Sequence, residues 1–523
     1  MTNDKDMTGA DALLAALADE GVVVCFANPG TTELDLVRSL ERESRMRCVV
    51  GLQENVCTGG ADGYGRMTGR PAATLLHLGP GFANGIANLH NARRAHTPIV
   101  NIIGDHTSWH LPFDAPLTSD IESLARPVSG WVHRIAAVEQ SDAAGREAVK
   151  QSHDRGGQGV TLIFPADHQA HTGGEQVALA QLAVHATDSA PAAFDPAAAV
   201  QRLKAANKIV FLLGGGGEQS GLGVRAQRAV QRLCAALGAT AYAETFPSRS
   251  ERGQGLPAFD RLPYFPEPAR EVLDPADLVV LVGALPPVTY FGYEGHPSLL
   301  VGPERLLTLA EVGDDAATRL EVVAELLGAA DVALPPAVLS PPDEGPLTPA
   351  RIALALAHQL PDRAIVSVEG GTCGYPFYAV SSAARPHTTL TNTGGAIGQG
   401  LPVAMGAAIA CPDRKVVALL SDGSTQYTIQ TLWSLAHEEL DVVVLIAANH
   451  QYAILRNELR RGGATLGTRA EQITSLDKPR IDWVTLAQSY GVAGGRANTS
   501  SELTVLLQQA FSKRGPMLIE MAL

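Results

Sequence analysis

Basic runs are missing from this 523-residue sequence, in which 40 Lys and Arg stand against 54 Asp and Glu, for a formal net charge of -14. That balance disfavours nucleic acid and other polyanions as partners, and no local basic stretch reverses it. Long apolar runs are missing too. No segment reaches the roughly 18 consecutive apolar residues a membrane helix needs. The N-terminal "MTNDKDMTGADALLAALADEG" carries acids where a secretory signal carries bases, and its apolar positions follow helical spacing. Cysteine is sparse: six residues, at 25, 48, 57, 234, 373 and 411, with no CxxC pair. Scattered in or beside apolar strands, they read as free thiols in a reducing compartment. The expectation is a soluble, cytoplasmic protein.

What the chain has is 46% hydrophobic residues and enough length for about three domains of ordinary size. Strand-like runs, among them "PAATLLHL", "TPIVNIIG", "KIVFLLGG", "DLVVLVGA", "RAIVSVEGG", "KVVALLSDG" and "DVVVLIAANH", alternate with helical stretches throughout. This is the pattern of doubly wound, parallel-sheet α/β domains. Two Pro- and Ala-rich segments, 185–198 and 333–350, suggest linkers. They cut the chain into an N-terminal domain (1–185), a central domain (190–335) and a C-terminal domain (345–523).

The first and third domains look alike. Shifted by 344 positions, residues 75–106 lie ungapped over 419–450, both reading strand, turn, helix, strand. In the third domain the strand "KVVALL" runs into Ser421-Asp422-Gly423-Ser424, and the next strand ends at Asn449. One helix is expected between them, its buried face formed by Ile429, Leu432, Trp433 and Ala436. A strand, a helix and a parallel strand then bring Asp422 and Asn449 to neighbouring strand ends. Carboxylate, amide and carbonyl oxygens favour a hard cation such as Mg²⁺ or Ca²⁺ over zinc. Gly423 and Ser424 open the helix that follows, where free amides would receive an anion. A Mg-bound diphosphate is the inferred ligand, against the plainer reading of Asp-Gly-Ser as a turn.

"SDGSTQYT" followed by "ANHQYAILR" resembles the signature of thiamin diphosphate-dependent enzymes, a Gly-Asp-Gly with a downstream Asn, as it occurs in benzoylformate decarboxylases. The resemblance implies that Asp422, Asn449 and the Gln451 carbonyl hold Mg²⁺, with Gly423, Ser424 and Tyr452 near the diphosphate. Ser421 and Ala448 depart from the usual motif without removing a metal-ligating atom. In "GLQENVCTGGADGYGR" Glu54 matches the family's catalytic glutamate, which otherwise would simply favour a helix N-terminus. In "LTNTGGAIGQGLP" Ile397 matches the residue that keeps the cofactor bent, and the Gly395 carbonyl the acceptor for its 4′-amino group. Thr372 in "VEGGTCGYP" matches the diphosphate lining.

"NPGTTEL", "LLHLGPG", "LTSDIESLARPVSGW" and "GPMLIEMAL" extend the likeness to decarboxylases and acetolactate synthases along essentially the whole chain. Ending at Leu523, the sequence is expected to have no tail to cover the site. His77 matches a proton-relaying histidine of the decarboxylases; the plainer alternative is a structural strand-end histidine. Thr31 matches a substrate-contacting hydroxyl or caps the helix "TTELDLVRSLE". The decarboxylases' second histidine has no counterpart: Phe291 stands near its place, and His106 and His110 could compensate. The Gly-rich "LLGGGGEQSG" lacks a complete dinucleotide fingerprint, so FAD is not expected. The family likeness implies a lyase that decarboxylates a small 2-oxo acid. The runner-up is an acetolactate synthase-type carboligase, and a non-catalytic cofactor-binding protein is the rival of another class. Because Glu54 and Asp422 lie in different domains, the implied assembly is a homodimer or homotetramer with sites shared between subunits.

Overall fold

The computed structural model describes residues 7–173, 194–334, 336–341, 343–463 and 465–523. The expected 185–198 linker lies largely outside them. By internal contact the chain divides into two compact units, one of Met1–Leu182, Leu339–Val380 and Gly394–Leu523, the other of Ala183–Val338 and Ser381–Thr393.

In the first unit, strands β1 (Val24–Asn28), β2 (Arg47–Val50), β3 (Ala72–His77), β4 (Ile99–Asp105), β5 (Trp131–Arg134) and β6 (Gly159–Pro165) form a sheet in the order β2-β1-β3-β4-β6-β5. Every pairing in it is parallel. The central strands are buried along their length, as apolar runs covered by helices on both faces must be.

The second unit carries β7 (Ile209–Leu213), β8 (Thr240–Ala243), β9 (Arg249–Arg252), β10 (Asp260–Arg261), β11 (Leu278–Val282) and β12 (Leu306–Ala310). Its parallel sheet runs β10-β8-β7-β11-β12. The remaining strands are β13 (Ala364–Val368), β14 (His387–Thr391), β15 (Val416–Ser421), β16 (Val442–Ala448), β17 (Ala493–Ala497) and β18 (Met517–Ala522). Of these, β14 belongs to the second unit, where it pairs antiparallel with β9. The other five are parallel in the order β17-β18-β16-β15-β13.

The chain is thus three parallel-sheet α/β domains, the first and third alike. The 344-residue shift carries β3 onto β15 end to end and brings β4 onto β16 within a residue. The orders β1-β3-β4-β6-β5 and β13-β15-β16-β18-β17 match strand for strand.

Inside the first unit the two like domains meet through the Glu54–Thr68 and Gly400–Ala410 helices. Glycines permit backbone-to-backbone approach: a Cβ at Gly63 would overlap the Val403 carbonyl, and one at Gly406 the Gly60 carbonyl. The contact surrounds a buried polar network. Arg66 pairs with Asp62 at 2.7 Å, and Thr97 (2.6 Å) and Gln399 (2.9 Å) donate to the same carboxylate.

Candidate active site

Two clusters sit at the carboxyl ends of equivalent strands, where parallel sheets place their ligand sites. The first forms where β3 ends at His77. Its Nδ1 lies 2.8 Å from Glu33 Oε2 and 3.2 Å from Thr32 Oγ1. Glu33 is fully buried, and its carboxylate also accepts from the Gly30 amide (2.8 Å) and the Thr32 hydroxyl (2.7 Å). A carboxylate can only accept, so Nδ1 is the donor in this contact and Nε2 lies outside it. Leu78, the next residue, is buried at φ 51°, a left-handed strain at the turn into the following helix.

Glu54 begins the Glu54–Thr68 helix after Gln53, whose side chain caps the Asn55 amide at 2.7 Å. Its Oε2 accepts from Asn84 Nδ2 at 3.0 Å. Gly81 leaves the space beside both acid and histidine open: a Cβ there would stand 3.1 Å from Glu54 Oε1 and 3.4 Å from His77 Cβ. The fold therefore brings Glu54 and His77 together from different elements.

The second cluster lies where β15 and β16 end side by side, with Ser421 paired to Ala447. Asp422 is buried. Its Oδ2 accepts the His450 amide at 2.6 Å and its Oδ1 the Gly423 amide at 2.8 Å. Burial pushes this carboxyl above its ordinary pKa, against the pull of those amides. Asn449 donates to Thr372 Oγ1 (3.2 Å) and accepts from the Gln451 amide (3.1 Å), which draws Thr372, Asn449 and Gln451 together with Asp422. His450, between two of them, has φ 54°. Gly423 lies flush against Tyr452, where a Cβ would come within 2.7 Å of the ring. The Ser424 hydroxyl is turned inward, donating to the Ser421 carbonyl at 3.1 Å.

Several expectations need correction. The single helix expected after Gly423 is a helical turn Asp422–Thr425, a 3-10 turn Gln426–Thr428 and a helix Thr431–His437. Thr428 diverts the chain by donating to the Gly398 carbonyl at 2.7 Å. The buried apolar positions of the last piece are Leu432 and Leu435, while Trp433 stacks on His437 nearer the surface. Thr31 caps no helix: the Leu34–Arg42 helix starts after Glu33 with no side-chain cap, and the hydroxyl that reaches His77 is that of Thr32.

The remaining candidates are placed as follows. His110 sits on the loop after β4, ring to ring with His106 (5.5 Å), Trp109 (5.6 Å) and Phe113 (5.9 Å). That loop leaves β4 beside β3, since Gly104 is paired with His77. Phe291 is exposed in the second unit, on the segment after β11, edge-on to Tyr293. Gly395 is exposed at φ 80°, its Cβ direction open, and Ile397 is half-buried two residues on. In the Gly-rich run at 212–221, Gly214 and Gly221 are required by close packing, because a Cβ at Gly214 would strike the Gly283 carbonyl and one at Gly221 the Val282 carbonyl.

Glu33 was missed by sequence reading. Its signal, an acid immediately before a helix in "NPGTTEL", is indistinguishable from surface charge until the fold buries it under β3 and β4. All six cysteines are free, and among the described residues no helix is long and apolar enough to cross a membrane.

Comparison with known proteins follows the same division. Residues 7–124 match the model of the N-terminal TPP binding domain of thiamine pyrophosphate enzymes, and residues 369–521 match the corresponding C-terminal TPP binding domain. A Mycobacterium tuberculosis protein provisionally named acetolactate synthase large subunit IlvX is 45% identical over 520 residues, covering 98% of each chain. The benzoylformate decarboxylase of Pseudomonas aeruginosa is 29% identical over 96% of each. Among solved structures, the thiamine diphosphate-dependent 4-hydroxybenzoylformate decarboxylase of Rhodococcus jostii RHA1 superposes with a TM-score of 0.82 at 26% identity, covering 98% of this chain and 99% of that one. Like domains, two polar clusters at equivalent strand ends and similarity along nearly the full length agree, and this chain belongs to the thiamine pyrophosphate-dependent enzyme family.

Proposed function

We propose that this protein is a Mg²⁺- and thiamin diphosphate-dependent lyase that decarboxylates a small 2-oxo acid and releases the aldehyde. The observation that carries this choice within the family is the Glu33–His77 pair: a buried carboxylate fixes one imidazole nitrogen and leaves the other for proton transfer beside Glu54. Aldehyde release requires a proton delivered to carbon, which His77 would supply from Nε2 once that nitrogen has itself been protonated. Carboligation replaces that proton with a second carbonyl compound.

The residues present fit the cofactor and metal. Asp422 is a buried carboxylate held by two backbone amides, and its raised pKa marks a charge that a cation would stabilise. Asp422, Asn449 and the Gln451 carbonyl supply the oxygen donors of a Mg²⁺ site, with Thr372, Gly423, Ser424 and Tyr452 around the diphosphate. When bound, thiamin diphosphate supplies the electron sink for loss of CO₂. Glu54, fixed through Oε2 by Asn84, would hold the proton shared with the aminopyrimidine ring, and Ile397 and the Gly395 carbonyl would keep that ring over the reacting carbon. Thr31, His110 and Phe291 are proposed substrate contacts.

Large apolar side chains are exposed on both domains that carry the clusters: Val50, Leu52, Trp109 and Phe113 on the first, Tyr375, Tyr427, Ile454 and Leu455 on the third. Such surfaces suit burial against another copy, and they support a homodimer or homotetramer whose sites combine Glu54 of one subunit with Asp422 of another. The second reading, carboligation, is favoured by the 45% identical relative's name. Product analysis with pyruvate and with benzoylformate separates them: aldehyde alone supports the lyase, and a ligated product as the main species overturns it.

A further inference from the structure

The segment 394–400, which bears Gly395 and Ile397, is held from outside at nearly every residue. On one side stands Glu369, just past β13 and 3% exposed. Its Oε1 accepts the amides of Gly398 (2.7 Å) and Gln399 (3.3 Å), and its Oε2 that of Gly400 (2.8 Å). One buried carboxylate thus receives three successive amides at the start of the Gly400–Ala410 helix, where the helix dipole also favours a negative charge. On the other side stands the Leu78–Arg94 helix of the first domain. Asn91, fully buried, grips the peptide of Ala396 in two directions: Oδ1 accepts its N–H at 3.1 Å and Nδ2 donates to its C=O at 2.8 Å. Nδ2 also donates to Asn88 Oδ1 at 3.1 Å, and the neighbouring His90 lies 3.0 Å from the Gly394 carbonyl.

The same helix reaches the proposed catalytic acid. Asn84, Asn88 and Asn91 lie on one face at i, i+4 and i+7. They bond in turn to the Glu54 carboxylate (3.0 Å), the Asn55 carbonyl (2.8 Å) and Ala396. A glycine-rich segment is thereby fixed by groups that need never touch the cofactor, while a Cβ at Gly395, at φ 80°, would meet nothing within 4 Å.

We propose that Glu369 and Asn91 are positioning residues that set the 394–400 segment in its cofactor-bending shape before the cofactor arrives. This rests on the roles assigned above to Gly395 and Ile397. Without the clamp, the segment would be ordered only on binding, and that ordering cost would appear as weaker affinity and a less well-aligned cofactor.

Glu369→Gln and Asn91→Asp are near-isosteric tests. The first sets an amide donor against a backbone N–H, and the second sets a carboxylate oxygen against the Ala396 carbonyl. Three measurements are compared with wild type: hydrogen exchange of the Gly398–Gly400 amides without cofactor, calorimetric affinity for thiamin diphosphate with Mg²⁺, and exchange of the cofactor C2 proton by NMR at saturation. The expected result is amide exchange about tenfold or more faster in Glu369→Gln, and affinity and C2 exchange about tenfold or more lower in both variants. C2 exchange at saturation is the deciding arm, because mere loss of stability leaves it unchanged below the melting temperature. Unaltered C2 exchange in both variants overturns the proposal. Should either variant fail to fold, Thr428→Val, which removes only the 2.7 Å bond to the Gly398 carbonyl of the same segment, replaces it with the same expected direction. A wild-type protein that binds cofactor without accelerating C2 exchange refutes the site reading itself, and the clamp with it.

Discussion

Replacing Glu33 by Gln isolates the charge behind His77. In the structure Oε2 receives both the Gly30 amide and His77 Nδ1, whereas Oε1 receives only the Thr32 hydroxyl. A glutamine can keep its oxygen toward Gly30 and His77 and turn its NH₂ toward Thr32, whose hydroxyl rotates to accept. The geometry survives and the negative charge does not. A hydrogen bond to a charged group contributes about 1.5–3 kcal/mol and a neutral one about 1 kcal/mol. The imidazolium that donates the proton should therefore lose about 0.5–2 kcal/mol of stabilisation, so less of it is present to protonate carbon, a fall of about 2- to 30-fold in kcat. The assay is steady-state CO₂ release, with aldehyde and ligated product quantified together and cofactor affinity measured by calorimetry. The expected outcome is lower kcat, a smaller aldehyde fraction and unchanged affinity for Mg²⁺ and cofactor, since the Asp422 cluster is untouched. His77→Ala should exceed the effect. Normal kcat in Glu33→Gln alongside a crippled His77→Ala would refute the orienting role, and a parallel loss of cofactor affinity would show that the substitution disturbs the domain rather than the proton.

Four further outcomes are expected. Glu54→Gln should bind cofactor almost normally yet lose about 10²- to 10⁴-fold in turnover, and retained turnover would remove Glu54 from the chemistry. Asp422→Ala should lose Mg²⁺ and with it tight diphosphate binding in calorimetry, because the anionic cofactor loses its bridging cation. Mixing these two inactive variants should restore partial activity after subunit exchange; exchange confirmed by mass with no recovery would exclude shared sites. In the second unit, burial raises the Glu244 carboxyl to about 7 despite the 2.6 Å bond from the Gly215 amide. Its folded-state pKa lies above the unfolded value, so its stabilising contribution is complete below about 4.5 and lost as pH rises through about 7, a penalty on the order of 3 kcal/mol. Melting temperatures should fall between about pH 4.5 and 7 in wild type, level off above that, and change less in Glu244→Gln, which retains the acceptor for Gly215.

Much of this protein was set locally. Near-continuous apolar strands alternating with helical periods specify parallel sheets covered on both faces, because only a helical crossover returns the chain to a parallel neighbour. The 344-residue repeat was legible because equivalent folds impose the same alternation, and the strands then fell into the same order. Asp422 and Asn449 could be placed side by side from one β-α-β unit, since each follows a strand end and adjacent parallel strands share an edge. Tertiary structure decided what depends on burial and on distant approach. Glu33 is an ordinary turn acid until β3 and β4 enclose it, and only that enclosure turns it toward His77. Glu369 and Asn91 bracket a segment from two domains, at sequence separations no local pattern encodes. The break of the expected helix at Gln426–Thr428 comes from a bond to Gly398, 30 residues earlier in the chain. Periodicity records which face of an element is apolar. It carries no information on which buried polar group will meet which, because those pairings are fixed by packing between elements far apart in sequence, where an unsatisfied group costs more than its own bond is worth.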